Sequence, residues 1–196
     1  TATATPEVRE DILEQLGLGQ FGREPPRVFV SGFARHNLTL AVTHVKNKTE
    51  KGARIFEHMR QLKTGIIYCA TRKHVERLAA QLGRGAVAYH GAMTPDQRAR
   101  AQEKFMAGDC DVAVATNAFG MGIDRPDLRF VIHFDIPGSL EAYYQEAGRA
   151  GRDGEPARCE VLYNYADVRT QEFFIEGANP TRELIAAVYH TLRRLC

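Results

Sequence analysis

Two arginines three residues apart, Arg149 and Arg152, stand among glycines and alanines in the stretch QEAGRAGRDG at 145–154. Small neighbours let both guanidiniums project from one scaffold. A guanidinium carries a fixed charge and grips phosphate oxygens in pairs, which is what charge developing on a transferring phosphoryl group requires. The same pair suits a plainer role at a helix end, where arginines offset the dipole and Gly151 or Gly154 supplies the cap. A second stretch, ATNAFGMGIDRP at 115–126, follows an apolar run. Gly120 and Gly122 allow close approach of backbone to a ligand, Thr116 and Asn117 offer polar groups to a phosphate, and Asp124 can accept from ribose hydroxyls. Any tight turn after a strand also uses glycine, so this loop is not specific by itself.

Positioning such loops requires a scaffold, and the hydrophobic pattern supplies one. RVFV (27–30), LTLAVTHV (38–45), GIIYCA (65–70), AVAYH (86–90), DVAVAT (111–116), RFVIHFD (129–135) and CEVLYN (159–164) read as strands. The continuous apolar run at 65–70 suits a strand buried on both faces of a parallel sheet. Between the strands lie helical patterns. One covers 49–62, with Ile55, Phe56, Met59 and Leu62 facing inward, and another covers 72–82 behind the N-cap Thr71, with Val75, Leu78, Ala79 and Leu82 in one stripe. A third, 95–107, opens with Thr94, Pro95 and Gln97 as cap, first-turn proline and capping-box partner, and turns Ala101, Phe105 and Met106 inward. A fourth covers 139–150 behind Ser139, and 165–176 and 181–195 are helical in pattern. Alternating strand and helix predicts βαβ units and a parallel sheet, whose chemistry collects beyond the carboxyl ends of the strands. The loops to watch are therefore CATR (69–72), HGAMTPDQR (90–98), ATNAFGMGIDRP and HFDIP (133–137).

Composition narrows the class. With 196 residues, 44% hydrophobic and 26% charged, the chain is an ordinary globular sequence that needs neither disulfide nor metal to fold. Its net charge of +2 is too small for a purely electrostatic nucleic-acid binder. Cys69, Cys110, Cys159 and Cys196 form no CxxC pair, which excludes a zinc knuckle and points to a reducing compartment. Cys69, inside an apolar strand, reads as a small core residue rather than a nucleophile. No apolar run reaches the roughly 18 residues of a membrane span, and no signal peptide is visible, so a cytoplasmic or nuclear setting is expected without membrane contact.

IIYCATR, AYHGAM, ATNAFGMGID, VIHFDIP and QEAGRAGRDG, in that order, resemble motifs IV, IVa, V, Va and VI of the RecQ family of superfamily 2 DNA helicases. TATATPEVREDI resembles that family's motif III and the helix after it, so the likeness runs from residue 1 to about 178. The resemblance implies a three-layer RecA-like α/β domain with a mostly parallel sheet. Residues 1–34 would end the first RecA-like lobe, 35–165 would form the second, and 166–196 would begin a helical extension. It implies that Arg152 is an arginine finger for the γ-phosphate of ATP, that Arg149 and Gln145 support it, and that Asp124 and Gly122 meet the nucleotide. Thr71, Arg72, His90, Thr116 and Asn117 would lie along a single-stranded DNA track. Thr1 and Thr3 would belong to a coupling motif, with His133 and Asp135 as positioning residues between the two sites. His90 and His133 each follow a strand and equally suit satisfied structural histidines. Position 147 is Ala where relatives often carry Thr, Ile or Ser, a departure expected to change little.

No GxxxxGK[ST] loop occurs, and neither does a DE dipeptide, so ATP with Mg2+ is expected to be held mainly by the first lobe and this segment alone is expected to be inactive. The expected partners are that lobe of the same polypeptide and single-stranded or forked DNA, with 3′ to 5′ polarity implied by the family. The expected location is the nucleoid in a bacterium and the nucleus in a eukaryote. Two other readings compete: another superfamily 2 motor, such as an RNA helicase or remodeller, and a non-catalytic RecA-like DNA-binding module.

Overall fold

The computed structural model describes residues 5–17, 26–30, 34–120, 123–179 and 181–195. The chain divides into two compact units, 1–36 and 37–196. In the first, Pro6–Gln15 forms helix α1, opened by Thr5, whose side chain accepts from the Val8 amide. RVFV at 27–30 does not form the expected strand. Residues 26–30 lack regular structure, and Phe29 is 90% exposed. Extended backbone becomes a strand only when a ladder satisfies its amides and carbonyls, and no strand pairs with this run among the described residues.

The second unit is built on six parallel strands: β1 (Leu38–His44), β2 (Gly65–Tyr68), β3 (Ala86–Tyr89), β4 (Val112–Ala115), β5 (Phe130–His133) and β6 (Ala157–Tyr163). Their order across the sheet is β1-β6-β5-β2-β4-β3. In the centre, β2, β4 and β5 are buried at every residue, as their unbroken apolar runs require.

Helices cover both faces. On one, α2 (Lys48–Leu62) and α3 (Arg72–Leu82) set Ile55, Val75, Leu78 and Ala79 against Ile67, Val114 and Ile132. On the other, α4 (Pro95–Ala107), α5 (Leu140–Ala147) and the irregular β4–β5 connection bring Phe105, Ala147, Phe119 and Ile123 onto Ile66, Ala113 and Val131. Phe56 and Met106, expected inside, are 48% and 40% exposed. Each lies at the margin of its helix's apolar stripe, where burial is decided by what the neighbouring element covers. Helices α6 (Tyr165–Ala178) and α7 (Arg182–Leu195) come after the sheet.

Caps fix where the helices begin. Asn47, Thr71, Thr94, Ser139 and Asn164 each accept a first-turn amide, and Thr94 and Asn164 complete capping boxes. Helix α5 stops at Ala147, three residues short of expectation, and the chain turns through Gly148 and then Gly151, where φ is 54°.

One charged cluster is built into the packing. Glu160 on β6 is fully buried and accepts from Thr43 at 2.6 Å, Arg54 at 2.9 Å and Arg158 at 2.9 Å, with His58 Nε2 at 2.6 Å. Burial alone would raise its pKa, but His58, Thr43, Arg54 and Arg158 together hold the carboxyl far below its ordinary value of 4.5. Because the folded pKa is the lower one, the stability this contributes is present above about pH 4.5 and is lost as pH falls toward the folded value. Glu160→Gln should lower unfolding free energy by about 3 kcal/mol at pH 7, since it leaves buried donors facing a poorer acceptor. The urea midpoint of the variant should also change less between pH 6 and pH 3 than that of the parent.

Candidate nucleotide and nucleic-acid interface

With all strands parallel, their carboxyl ends share one edge, and most expected track residues lie there. Thr71 is the N-cap of α3, its hydroxyl accepting from the His74 amide at 3.2 Å, and Arg72 is exposed beside it. Thr116 and His90 leave adjacent strands, tied by the Thr116 amide donating to the Tyr89 carbonyl at 3.1 Å. The Thr116 hydroxyl accepts from Ala118 at 3.4 Å, and Asn117 is exposed. His90 is buried, with Nε2 3.2 Å from Glu76, so it is more a wall of this edge than a surface.

Asp135 is 3% exposed and works within the edge. One oxygen accepts from the Ala70 amide at 2.8 Å and pairs with His74 Nδ1 at 2.9 Å, which fixes the β2–α3 loop. Burial opposes ionisation, yet the bonds from His74 and Ala70 hold its pKa below the ordinary value. Cys69 next to it is buried, and burial pushes its thiol well up, far from a nucleophile.

His133 ends β5 at 1% exposure and meets Glu146 of α5 at 2.8 Å through Nε2. Its ring stacks on Tyr68 at 5.6 Å and leans on Tyr143 at 5.1 Å. This contact fastens the helix that leads to the two arginines onto the sheet.

Beyond α5 the two motif loops converge. Arg149 is turned inward, with its guanidinium donating to the Gly120 carbonyl at 2.6 Å. Arg152 donates to Asp124 at 2.7 Å and reaches the Ile123 carbonyl at 3.5 Å. Its side chain is 38% exposed and that of Asp124 81%, so this pair faces solvent while Arg149 braces the loop. Gln145 is exposed on α5. Gly122, Thr1 and Thr3 lie outside the described residues.

Four positioning residues were not singled out from the sequence. Tyr68 donates to the Phe119 carbonyl at 3.0 Å, and burial pushes its hydroxyl pKa up. Glu146 holds His133. Arg125, 8% exposed, donates to the carbonyls of Phe105 at 2.7 Å and Cys110 at 3.2 Å and pairs with Asp127 at 2.9 Å. Asn37 donates to the carbonyls of Gly151 and Glu155, both at 2.8 Å. Each lies in a stretch whose periodicity reports only strand, helix or turn; the position of Arg125 between Asp124 and Pro126 was the one available hint.

The exposed Arg152 guanidinium can donate to phosphate oxygens and the exposed Asp124 carboxylate can accept from ribose hydroxyls, on a turn that Arg149 braces from inside. Among the described residues no group of His, Cys, Asp or Glu is placed to hold a metal ion, and no helix is long and apolar enough to cross a membrane.

Residues 47–154 match the family model described as the helicase conserved C-terminal domain. The chain belongs to that family, on its RecQ branch. It is 44% identical to the ATP-dependent DNA helicase RecQ of Bacillus subtilis over 179 residues, covering 90% of this chain and 29% of that protein. Over 186 residues it is also 44% identical to the ATP-dependent helicase SGS1 of Saccharomyces cerevisiae, covering 90% of this chain and 12% of the relative. The chain thus spans under a third of the length of these relatives. Among solved structures, S. cerevisiae Dbp5 bound to RNA and ADP BeF3 superposes with a TM-score of 0.66 over 86% of this chain and 45% of that one, at 21% identity, a likeness of fold. The RecQ-branch domain is therefore a RecA-like helicase lobe in architecture.

The two loop glycines should respond differently to a methyl group. At Gly120 an added Cβ meets the Arg149 guanidinium end at 2.9 Å, a flexible neighbour that can move. At Gly151, with φ of 54°, it meets the Asn37 amide at 2.6 Å and the Glu155 carbonyl at 2.7 Å. Gly120→Ala should leave stability within about 1 kcal/mol of the parent while displacing Arg149, whereas Gly151→Ala should cost about 2 kcal/mol or more in urea unfolding.

Proposed function

We propose that this domain is the second motor lobe of an ATP-dependent DNA helicase of RecQ type, residues 1–34 ending the first lobe, 35–165 forming the second and 166–196 beginning a C-terminal helical extension. The observation that carries the reading is the convergence of the motif loops, which leaves Arg152 solvent-facing on Asp124 while Arg149 is held by the Gly120 carbonyl.

In this reading Arg152 is the arginine finger. Its guanidinium leaves or shares Asp124 to meet the γ-phosphate of ATP presented by the first lobe, and Asp124 turns to the ribose. Arg149 keeps the loop at 115–126 in place, and Gln145 adds a polar contact from the exposed face of α5. Gly122, Thr1 and Thr3 keep the roles that the family resemblance assigns them. ATP with Mg2+ is held mainly by the first lobe in this reading, because the sequence carries neither a GxxxxGK[ST] loop nor a DE dipeptide. The domain by itself therefore does not turn over ATP.

Thr71, Arg72, Thr116 and Asn117 supply hydroxyl, amide and guanidinium groups to the phosphates of a single strand, with His90 as the wall between them. Contacts of that kind hold position without reading sequence. His133 and Asp135 couple the two regions: Asp135 fixes the loop that carries Thr71, and His133 fixes the helix that leads to Arg152. Cycles of closure on ATP would move the lobes along one strand in the 3′ to 5′ direction. The relatives named above are ATP-dependent helicases by name, which supports an enzymatic rather than a purely binding role. A bacterial cytoplasm or a eukaryotic nucleus is the setting that fits.

Arg152→Ala in the two-lobed protein should reduce DNA-stimulated ATP turnover by roughly a thousandfold or more, with single-strand affinity little changed. Wild-type turnover in that variant would remove the finger assignment. Thr116→Val should weaken binding of single-stranded oligonucleotides by a similar factor whatever their sequence, as measured by fluorescence anisotropy. A loss confined to certain sequences would overturn the phosphate track.

A further inference from the structure

Strand β3 is the last strand of the sheet, and the backbone groups on its outer side have no ladder partner among the described residues. Over it lies a groove of about 620 Å³, floored by Val87 and Ala88 and walled by Glu76 of α3 on one side and by Arg100 and Lys104 of α4 on the other. His90 closes the carboxyl end. Its Nε2 stands 3.2 Å from Glu76, and its Nδ1 is buried without a hydrogen-bond partner. An unpaired edge is the surface on which an extended peptide can add as a further strand, main chain supplying affinity and alternate side chains supplying specificity.

The walls say which peptide fits. Side chains of an added strand alternate between the two faces of the sheet, and here one face is covered by α4 and the other by α3. Arg100 and Lys104 are four residues apart on α4 and exposed, so their Cβ atoms lie about 6 Å apart, close to the roughly 6.8 Å between alternate residues of a strand. Successive residues facing α4 can therefore each meet a cation. Residues facing α3 meet Glu76 and small apolar groups, which favours uncharged side chains there. We propose that this groove is a docking site for an extended acidic peptide, with carboxylates at alternate positions, that adds to the sheet alongside β3. A nucleic-acid strand could satisfy the two cations, but it has no amides and carbonyls in register with the open edge, and Glu76 would face its phosphates.

The test uses this 196-residue chain and a fluorescein-labelled peptide GEVEVEVG, whose glutamates fall on one face and valines on the other. Anisotropy should show it binding at least about tenfold tighter than GKVKVKVG. N-methylation of its backbone amides removes donors and keeps every charge. Placed at the valines in one peptide and at the glutamates in another, so that the set facing β3 is blocked in either strand direction, it should weaken binding by about tenfold or more in one of the two. The double variant Arg100→Gln with Lys104→Gln should do the same, and amide resonances at 86–90 should shift on titration. Equal binding of the lysine peptide, or indifference to both N-methylations, would overturn the proposal. So would an oligo-dT that occupies the groove, shifting 86–90, while the acidic peptide does not bind. The N-methyl comparison leaves the protein unaltered, so it decides the matter even if the double variant folds poorly.

Discussion

Six strands that all run the same way impose the constraint on which this domain depends. Each connection must return from the carboxyl edge to the opposite edge, and it must do so across a face of the sheet. Four of the five returns use helices. The β4–β5 return does not; it descends as an irregular segment and must satisfy its own backbone without a helical ladder. The segment is held by donors from elsewhere: the Tyr68 hydroxyl on Phe119, the Arg149 guanidinium on Gly120, and Arg152 on Ile123. The loop that carries Asp124 is thus shaped in part by Arg149 and Arg152, which lie beside it.

That dependence explains why charged side chains are buried around this segment. Arg125 ties the end of α4 to the start of β4 through the carbonyls of Phe105 and Cys110, and its guanidinium lies 4.9 Å from the centre of the Phe105 ring. Across the sheet, Lys51 donates to the Phe134 carbonyl and pairs with Asp167 at 2.5 Å, which joins α2, the end of β5 and α6. Removing water from such charges is costly, and it is tolerated where each donor finds its acceptor. These pins replace regular structure at the points where the sheet hands over to its functional loops.

The fold was legible in the sequence where one local rule sufficed. The β-branched runs at 65–70, 111–116 and 129–135 could bury both faces, and Thr71, Thr94 and Ser139 marked helix starts to the residue. RVFV failed because pairing is not local: its composition suits a strand, but its partner must come from elsewhere. Phe56 and Met106 failed for a related reason, since a stripe gives the direction of a helix face but not its width. Arg149, Arg152 and Asp124, which the structure brings together, were named from residue type and motif, whereas Tyr68, Glu146 and Asn37 act through contacts 51, 13 and 114 residues away in sequence. Ala147, a departure from the family pattern, is 3% exposed against the sheet, with its carbonyl accepting from the Cys159 thiol at 3.5 Å. A small residue there lets α5 lie close to the sheet.

The two arginines of one motif are held with different strengths, and that difference bears on how the proposed motor could work. Arg149 is half-buried, and its guanidinium donates to the Gly120 carbonyl at 2.6 Å. Arg152 pairs with an aspartate that is 81% exposed. A solvent-facing ion pair of that kind is worth about 0–1 kcal/mol, whereas a bidentate contact to a phosphate in a cleft closed to water is stronger. In the proposed motor, the pair therefore holds Arg152 on Asp124 at a restraint that an arriving phosphate can overcome. If Arg152 is the proposed finger, a buried Asp124 would have locked it, and without Asp124 a mobile arginine would have lost side-chain entropy with every closure. An exposed partner for one arginine and a carbonyl for the other let a single short turn be both rigid and available.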